Sequence, residues 1–95
     1  MLKGKPRILV VDDEISMCEL LEILLKKEGY DVTSALNGRT AISILEKENF
    51  DLLLCDIRLG DVNGIEVLKT AKQYNPRVVV IMISAYSSAE NAVEA

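Results

Sequence analysis

Polar groups with chemical capacity occur at three places in this sequence, each directly after an apolar run. Asp12-Asp13-Glu14 follow Ile8-Leu9-Val10-Val11, Asp56 follows Leu52-Leu53-Leu54-Cys55, and Ser84 follows Val78-Val79-Val80-Ile81-Met82-Ile83. One acid in such a place is ordinarily a helix cap or a solvated loop residue, and Asp13 is placed to cap a helix beginning near Ile15. The set is harder to explain that way. Carboxylates gathered at neighbouring strand ends repel one another, which raises their pKa values and costs stability unless a cation or hydrogen bonds offset them. A hard divalent cation meets that need, because Mg2+ takes one or two carboxylates together with waters and phosphate oxygens.

The elements that would position these groups follow from periodicity. The three apolar runs are short and do not alternate, as expected of parallel strands covered on both faces. A weaker run, Asp31-Val32-Thr33-Ser34-Ala35, mixes polar and apolar residues and reads as an edge strand. Between the runs lie helical segments. Met17, Leu20, Leu21, Leu24 and Leu25 form one stripe from about Ile15 to Glu28, closed by Gly29. Ala41, Ile42 and Leu45 repeat the spacing between Asn37-Gly38 and Asn49, and a third helix is predicted from Gly64 to Tyr74 with Ile65, Leu68 and Ala71 inward. A fourth begins near Ala89. Regular alternation of strand and helix predicts an α/β doubly wound parallel sheet, whose binding crevice lies at the carboxyl ends of its strands.

Composition removes several alternatives. Ninety-five residues make one small domain, with 49% hydrophobic and 27% charged residues, near the globular average. The net charge of -4 argues against direct nucleic-acid binding. The absence of His excludes catalytic triads, His-based zinc sites and phosphohistidine chemistry within the chain. Cys18 and Cys55 lie apart in apolar stretches and read as reduced, buried thiols, which suits a cytoplasmic protein. No signal peptide or membrane span is legible. The basic leader, residues 1–6, and Arg7 after it read as solvated.

The Ile-Leu-Val-Val-Asp-Asp-Glu start, the Leu-Leu-Cys-Asp-Ile-Arg-Leu run, Gly64-Ile65-Glu66-Val67-Leu68 and the Ile-Ser-Ala-Tyr segment at 83–86 resemble the receiver domains of two-component response regulators. The resemblance covers residues 7–95. It implies a flavodoxin-like fold with strand order 2-1-3-4 and Asp56 as the acceptor of a phosphoryl group. It also implies Asp13 as a direct Mg2+ ligand, Asp12 acting through water or a hydrogen bond, and the Arg58 backbone carbonyl completing the protein ligands. Ser84 would hydrogen-bond the phosphoryl group, with Ala85 the small residue beside it. The donor would be a sensor histidine kinase or a small acyl phosphate, and the chain would catalyse only its own phosphorylation and dephosphorylation. Added charge at Asp56 would draw Ser84 inward and rearrange the segment after it, switching an output domain or partner. The stretch around Asp56-Ile57-Arg58-Leu59 is most similar to transcription regulators that activate alternative-sigma-factor polymerase.

The sequence departs from that family in two respects. The usual proline after the acceptor is replaced within Leu59-Gly60-Asp61-Val62-Asn63-Gly64, which predicts a looser loop. The chain also ends before the family's fifth strand and helix, where a phosphoryl-contacting lysine and an aromatic switch residue stand. That predicts slow phosphorylation or none, an uncovered apolar edge at Val78–Ile83, and a homodimer formed by edge pairing or exchange of elements. Other readings fit less well. A nucleotide or flavin site lacks both G-x-G-x-x-G and G-x-x-x-x-G-K-[ST]. A dehalogenase-type phosphatase would make Asp12 the nucleophile, in a pattern that Asp12-Asp13-Glu14 imitates only loosely. A phosphorylation-independent interaction module with the same fold is the principal alternative.

Overall fold

The computed structural model describes residues 4–83. Four parallel strands, β1 (Arg7–Val11), β2 (Asp31–Ala35), β3 (Leu52–Asp56) and β4 (Val79–Ile83), lie in the order β2-β1-β3-β4. Three helices connect them: α1 (Ile15–Lys27), α2 (Gly38–Lys47) and α3 (Gly64–Tyr74). The order and the doubly wound layering are those expected. Asp31–Ala35 is an edge strand, as its mixed composition predicts. The helix expected from Ala89 lies outside the described residues.

Alternation along the strands builds two cores. Leu9 and Val11 of β1 and Leu53 and Cys55 of β3 pack with Ala41 and Leu45 of α2 and Val67 and Ala71 of α3. On the opposite face, Ile8 and Val10 pack with Cys18 of α1 and Val32 of β2. The central strands are therefore apolar on both sides, which is why β1 and β3 read as unbroken apolar runs.

Helix ends obey local chemistry. Past α1, Gly29 adopts φ +97°, a left-handed conformation that favours glycine. The Gly29 amide donates to Lys26 O and the Tyr30 amide to Leu25 O, a Schellman closure. Asn37 caps α2 through its side chain, accepting from the Thr40 amide at 2.8 Å. At α3 the Asn63 side chain accepts from the Ile65 amide at 2.8 Å.

Three expectations require correction. In α1 the inward positions are Cys18, Leu21 and Leu25, whereas Leu20 is 50% and Leu24 49% exposed. The helix lies chiefly against β1 and β2, which leaves Leu20 and Leu24 exposed among the described residues. In α3 the buried set is Gly64, Val67 and Ala71, and Ile65 is exposed. The helix packs beside α2 and against β3, which selects a stripe shifted from Ile65. Arg7 is not solvated leader. Its amide donates to Asp51 Oδ2 at 2.8 Å, its guanidinium donates to Asn49 O and pairs with Glu48, and it stacks over Phe50 at 4.8 Å. These contacts join the amino ends of β1 and β3.

Of the apolar edge expected at Val78–Ile83, Val79 and Ile81 are exposed among the described residues, whereas Val78 is buried. Leu52 and Leu54 are half-buried, and their β4 partners Val79 and Ile81 are exposed on the same sheet face. Leu53→Ala, at a fully buried position, is expected to cost about 2–5 kcal/mol. Leu20→Ala on the exposed stripe should change stability by less than about 0.5 kcal/mol. Urea unfolding of both variants checks the contrast.

Candidate functional site

Two registers create the site. Val11 of β1 pairs with Cys55 of β3, so the residues that follow, Asp12 and Asp56, emerge together at the carboxyl ends of adjacent strands. Asp56 also pairs with Ile83 of β4. Val11 and Cys55 are fully buried, which fixes the backbone on which both carboxylates stand. Asp13 lies next along the chain on the exposed side. The carboxylate oxygens of Asp12, Asp13 and Asp56 lie within 4.8 Å of one another.

Asp12 is only 7% exposed. Its Oδ1 accepts from the Glu14 amide at 2.9 Å and so turns the chain from β1 into α1. Cys18 Sγ donates to Asp12 O at 3.3 Å, tying the first turn of α1 to the same residue. Burial pushes the Asp12 carboxyl above its ordinary pKa; the Glu14 amide opposes that, and the negative charges of Asp56, Asp13 and Glu14 add to it. Asp13 does not cap α1. The residue at that cap is Glu14, which makes no side-chain cap bond. The helix-capping explanation of Asp13 is thereby removed.

Asp56 Oδ1 accepts from the Arg58 amide at 3.1 Å, and the loop from Ile57 to Asn63 leaves the site from that point. Gly64 closes the loop. Its amide donates to Ile57 O at 3.0 Å, and a Cβ at this position would overlap the Asp56 carbonyl oxygen. Only glycine allows α3 to start this near the end of β3.

The loop is not loose. Asp61 Oδ1 accepts from the amides of Gly38 and Val62, and Oδ2 accepts from Arg39, at 2.8–2.9 Å. These bonds, first from Arg39 and then from Gly38, hold the exposed Asp61 carboxyl well below its ordinary pKa, at about 2. The stabilisation they give is present above the ordinary carboxylate pKa and is lost as pH falls toward 2. A Cβ on Gly38 would overlap the Val62 side chain, so close approach of α2 to the loop requires glycine there. Sequence reading missed Asp61 because a loop acid 22 residues beyond an amide shows no local capping signal.

The cysteines are free and buried as expected. Burial, reinforced by Asp56 and Asp12, pushes the Cys55 thiol up to about 12. Cys18 is pushed up as well, chiefly by burial. Neither is poised as a nucleophile. Ser84 lies outside the described residues, as do Ala85 and Tyr86. No helix among the described residues is long and apolar enough to cross a membrane.

Residues 8–95 match the family described as response regulator receiver domain. The chain belongs to that family. It is 44% identical over 95 residues, 100% of its own length, to the transcriptional regulatory protein ZraR of Salmonella typhimurium, and covers 22% of that relative. The receiver chain thus spans about a fifth of that regulator. Among solved structures, a CheY-like receiver domain protein from Methanospirillum hungatei superposes with TM-score 0.84 at 37% identity, over 95% of this chain and 72% of that one. The response regulator TrrA from Thermotoga maritima, solved in complex with Mg2+-BeF, gives TM-score 0.80 at 36% identity over 90% and 75% of the two chains.

The receiver's three acids fit a hard cation by donor type and spacing. Charge separation inside the cluster gives a direct test. Thermal unfolding at pH 7 should show that Mg2+ raises the midpoint. Asp13→Asn should stabilise the Mg2+-free chain by roughly 1 kcal/mol, the scale of one Coulomb repulsion near 4 Å in water, and lose most of the Mg2+ response.

Proposed function

We propose that this receiver takes a phosphoryl group onto Asp56 with Mg2+ and so switches an output domain or partner that controls transcription. The observation that carries the reading is the clustering of Asp12, Asp13 and Asp56 at the ends of β1 and β3, with their mutual repulsion left uncompensated by any described ion pair. Asp13, Asp56 and the Arg58 carbonyl would hold the cation, and Asp12 would contribute through water. When bound, the cation neutralises both the carboxylates and the incoming phosphoryl oxygens. An Asp56 carboxylate oxygen attacks phosphorus, and the bond from phosphorus to the donor's imidazole nitrogen breaks with its electron pair going to that nitrogen. The chain has no His, so the phosphohistidine belongs to a sensor histidine kinase. Ser84 follows Ile83, the β4 partner of Asp56, and is assigned the hydrogen bond to the phosphoryl group. The catalysis is confined to the chain's own modification and its reversal, and the setting is the cytoplasm. The Mg2+-BeF complex of TrrA supports the metal and phosphoryl assignment by likeness.

The exposed apolar Val79 and Ile81 favour a second reading, a phosphorylation-independent module that associates with a copy of itself through the β4 edge. Intact mass after incubation with Mg2+ and acetyl phosphate separates the two. The phosphoryl reading predicts one added phosphoryl group, absent in Asp56→Asn. Modification at Asp12 instead would indicate phosphatase-type chemistry. An unchanged mass together with a dimer in sedimentation would favour the interaction module.

A further inference from the structure

The amino end of α2 is capped from outside its own sequence. Three amides of its first turn need partners beyond the helix, and Asn37 Oδ1 serves only Thr40. The Gly38 and Arg39 amides, with no local acceptor, donate to Oδ1 and Oδ2 of Asp61, each at 2.9 Å. The bond works in both directions. It satisfies the helix end, where the aligned peptide dipoles favour a carboxylate, and it fixes the midpoint of the loop between β3 and α3.

That loop has few other restraints. Gly60 has no atom near its Cβ position, and no proline limits the backbone between Asp56 and Gly64. The loop's first turn is set by the Arg58 amide on Asp56 Oδ1, and its last by the Gly64 amide on Ile57 O. Between them the anchors are the Asp61 carboxylate and the half-buried Leu59 and Val62, whose side chains pack on the core beside Gly38. Two residues, Leu59 and Gly60, separate Asp61 from Arg58, whose carbonyl is the backbone ligand in the metal reading.

We infer that Asp61 is a positioning residue for the metal site, holding the Arg58 carbonyl in place by clamping its loop to the amino end of α2. The inference rests on the proposed Mg2+ reading. It also makes α2 part of the site's support although no residue of α2 belongs to the acidic cluster.

Calorimetric Mg2+ titration of the 95-residue chain, with amide hydrogen exchange, tests it. Asp61→Ala is expected to weaken Mg2+ binding about tenfold, the scale of losses when groups supporting metal ligands are removed. Exchange should speed up at Gly38, Arg39 and Arg58. Asp61→Asn, which keeps one acceptor oxygen and loses the other, should show a smaller loss of affinity and a smaller but measurable rise in Arg58 exchange, and it serves as the deciding variant if Asp61→Ala does not fold. A lowered unfolding midpoint with unchanged Mg2+ affinity and unchanged Arg58 exchange would overturn the inference, leaving Asp61 a helix cap only. Asp13→Asn serves as the site control. If the parent chain itself binds no Mg2+, the metal reading fails, and unchanged Arg58 exchange in Asp61→Asn would separately show that Asp61 does not hold the loop.

Discussion

Repulsion among three carboxylates that the fold does not let separate is the constraint on which the rest of this receiver depends. Parallel pairing of β1 with β3 brings Asp12 and Asp56 to the same end of the sheet, directly beyond the fully buried Val11 and Cys55. Relaxing the cluster would mean slipping a strand whose neighbours on both faces are close-packed, and a slip of one residue would turn its apolar side chains to the wrong faces. The carboxylates therefore stay together, and the Asp12 carboxyl is raised first by burial and then by the charges of Asp56, Asp13 and Glu14. In the proposed reading a divalent cation would offset that crowding of charge, and a phosphoryl group arriving with it would add charge where compensation is already present. Binding and chemistry would then share one origin in strand register.

The supporting structure divides into two parts. On the α1 side, the Glu14 amide and the Cys18 thiol bind the side chain and carbonyl of Asp12, so that residue turns the chain as well as carrying charge. On the α2 and α3 side, Gly64 permits α3 to start against the Asp56 carbonyl, and Asp61 fastens the intervening loop to α2. Glycine at 38 and 64 is thus a requirement of close approach rather than of turn conformation. The half-sheet over β3 and β4 is different. Its exposed Val79 and Ile81 pair with Leu52 and Leu54, on the sheet face that carries α1.

Much of this was legible in the amino-acid sequence because it depends on short-range pattern. Unbroken apolar runs mark doubly covered strands, and an acid directly after such a run must emerge at a strand end. The same logic located the acidic cluster without a contact map, and Gly29 and Asn75-Pro76 marked helix ends. What escaped depends on partners distant in sequence. Helical spacing placed Leu20 and Leu21 on one stripe, but only the position of α1 over β1 and β2 decides which is covered. Arg7 appeared solvated because Glu48, Asn49 and Asp51 lie more than 40 residues away. The loop after Asp56 appeared loose for want of proline, whereas Asp61 secures it through amides of another element.

The most direct test of the central claim is a map of where a divalent cation binds. Mn2+ added at substoichiometric levels to the isotopically labelled chain broadens the NMR signals of nearby amides, so the order of disappearance reports proximity. The account predicts that amides of Asp12, Asp13, Asp56 and Arg58 broaden first, and that excess Mg2+ restores them. Broadening that begins at other acids, such as Glu46 and Glu48 on the surface, or that spreads evenly over the chain, would contradict a site built by the ends of β1 and β3.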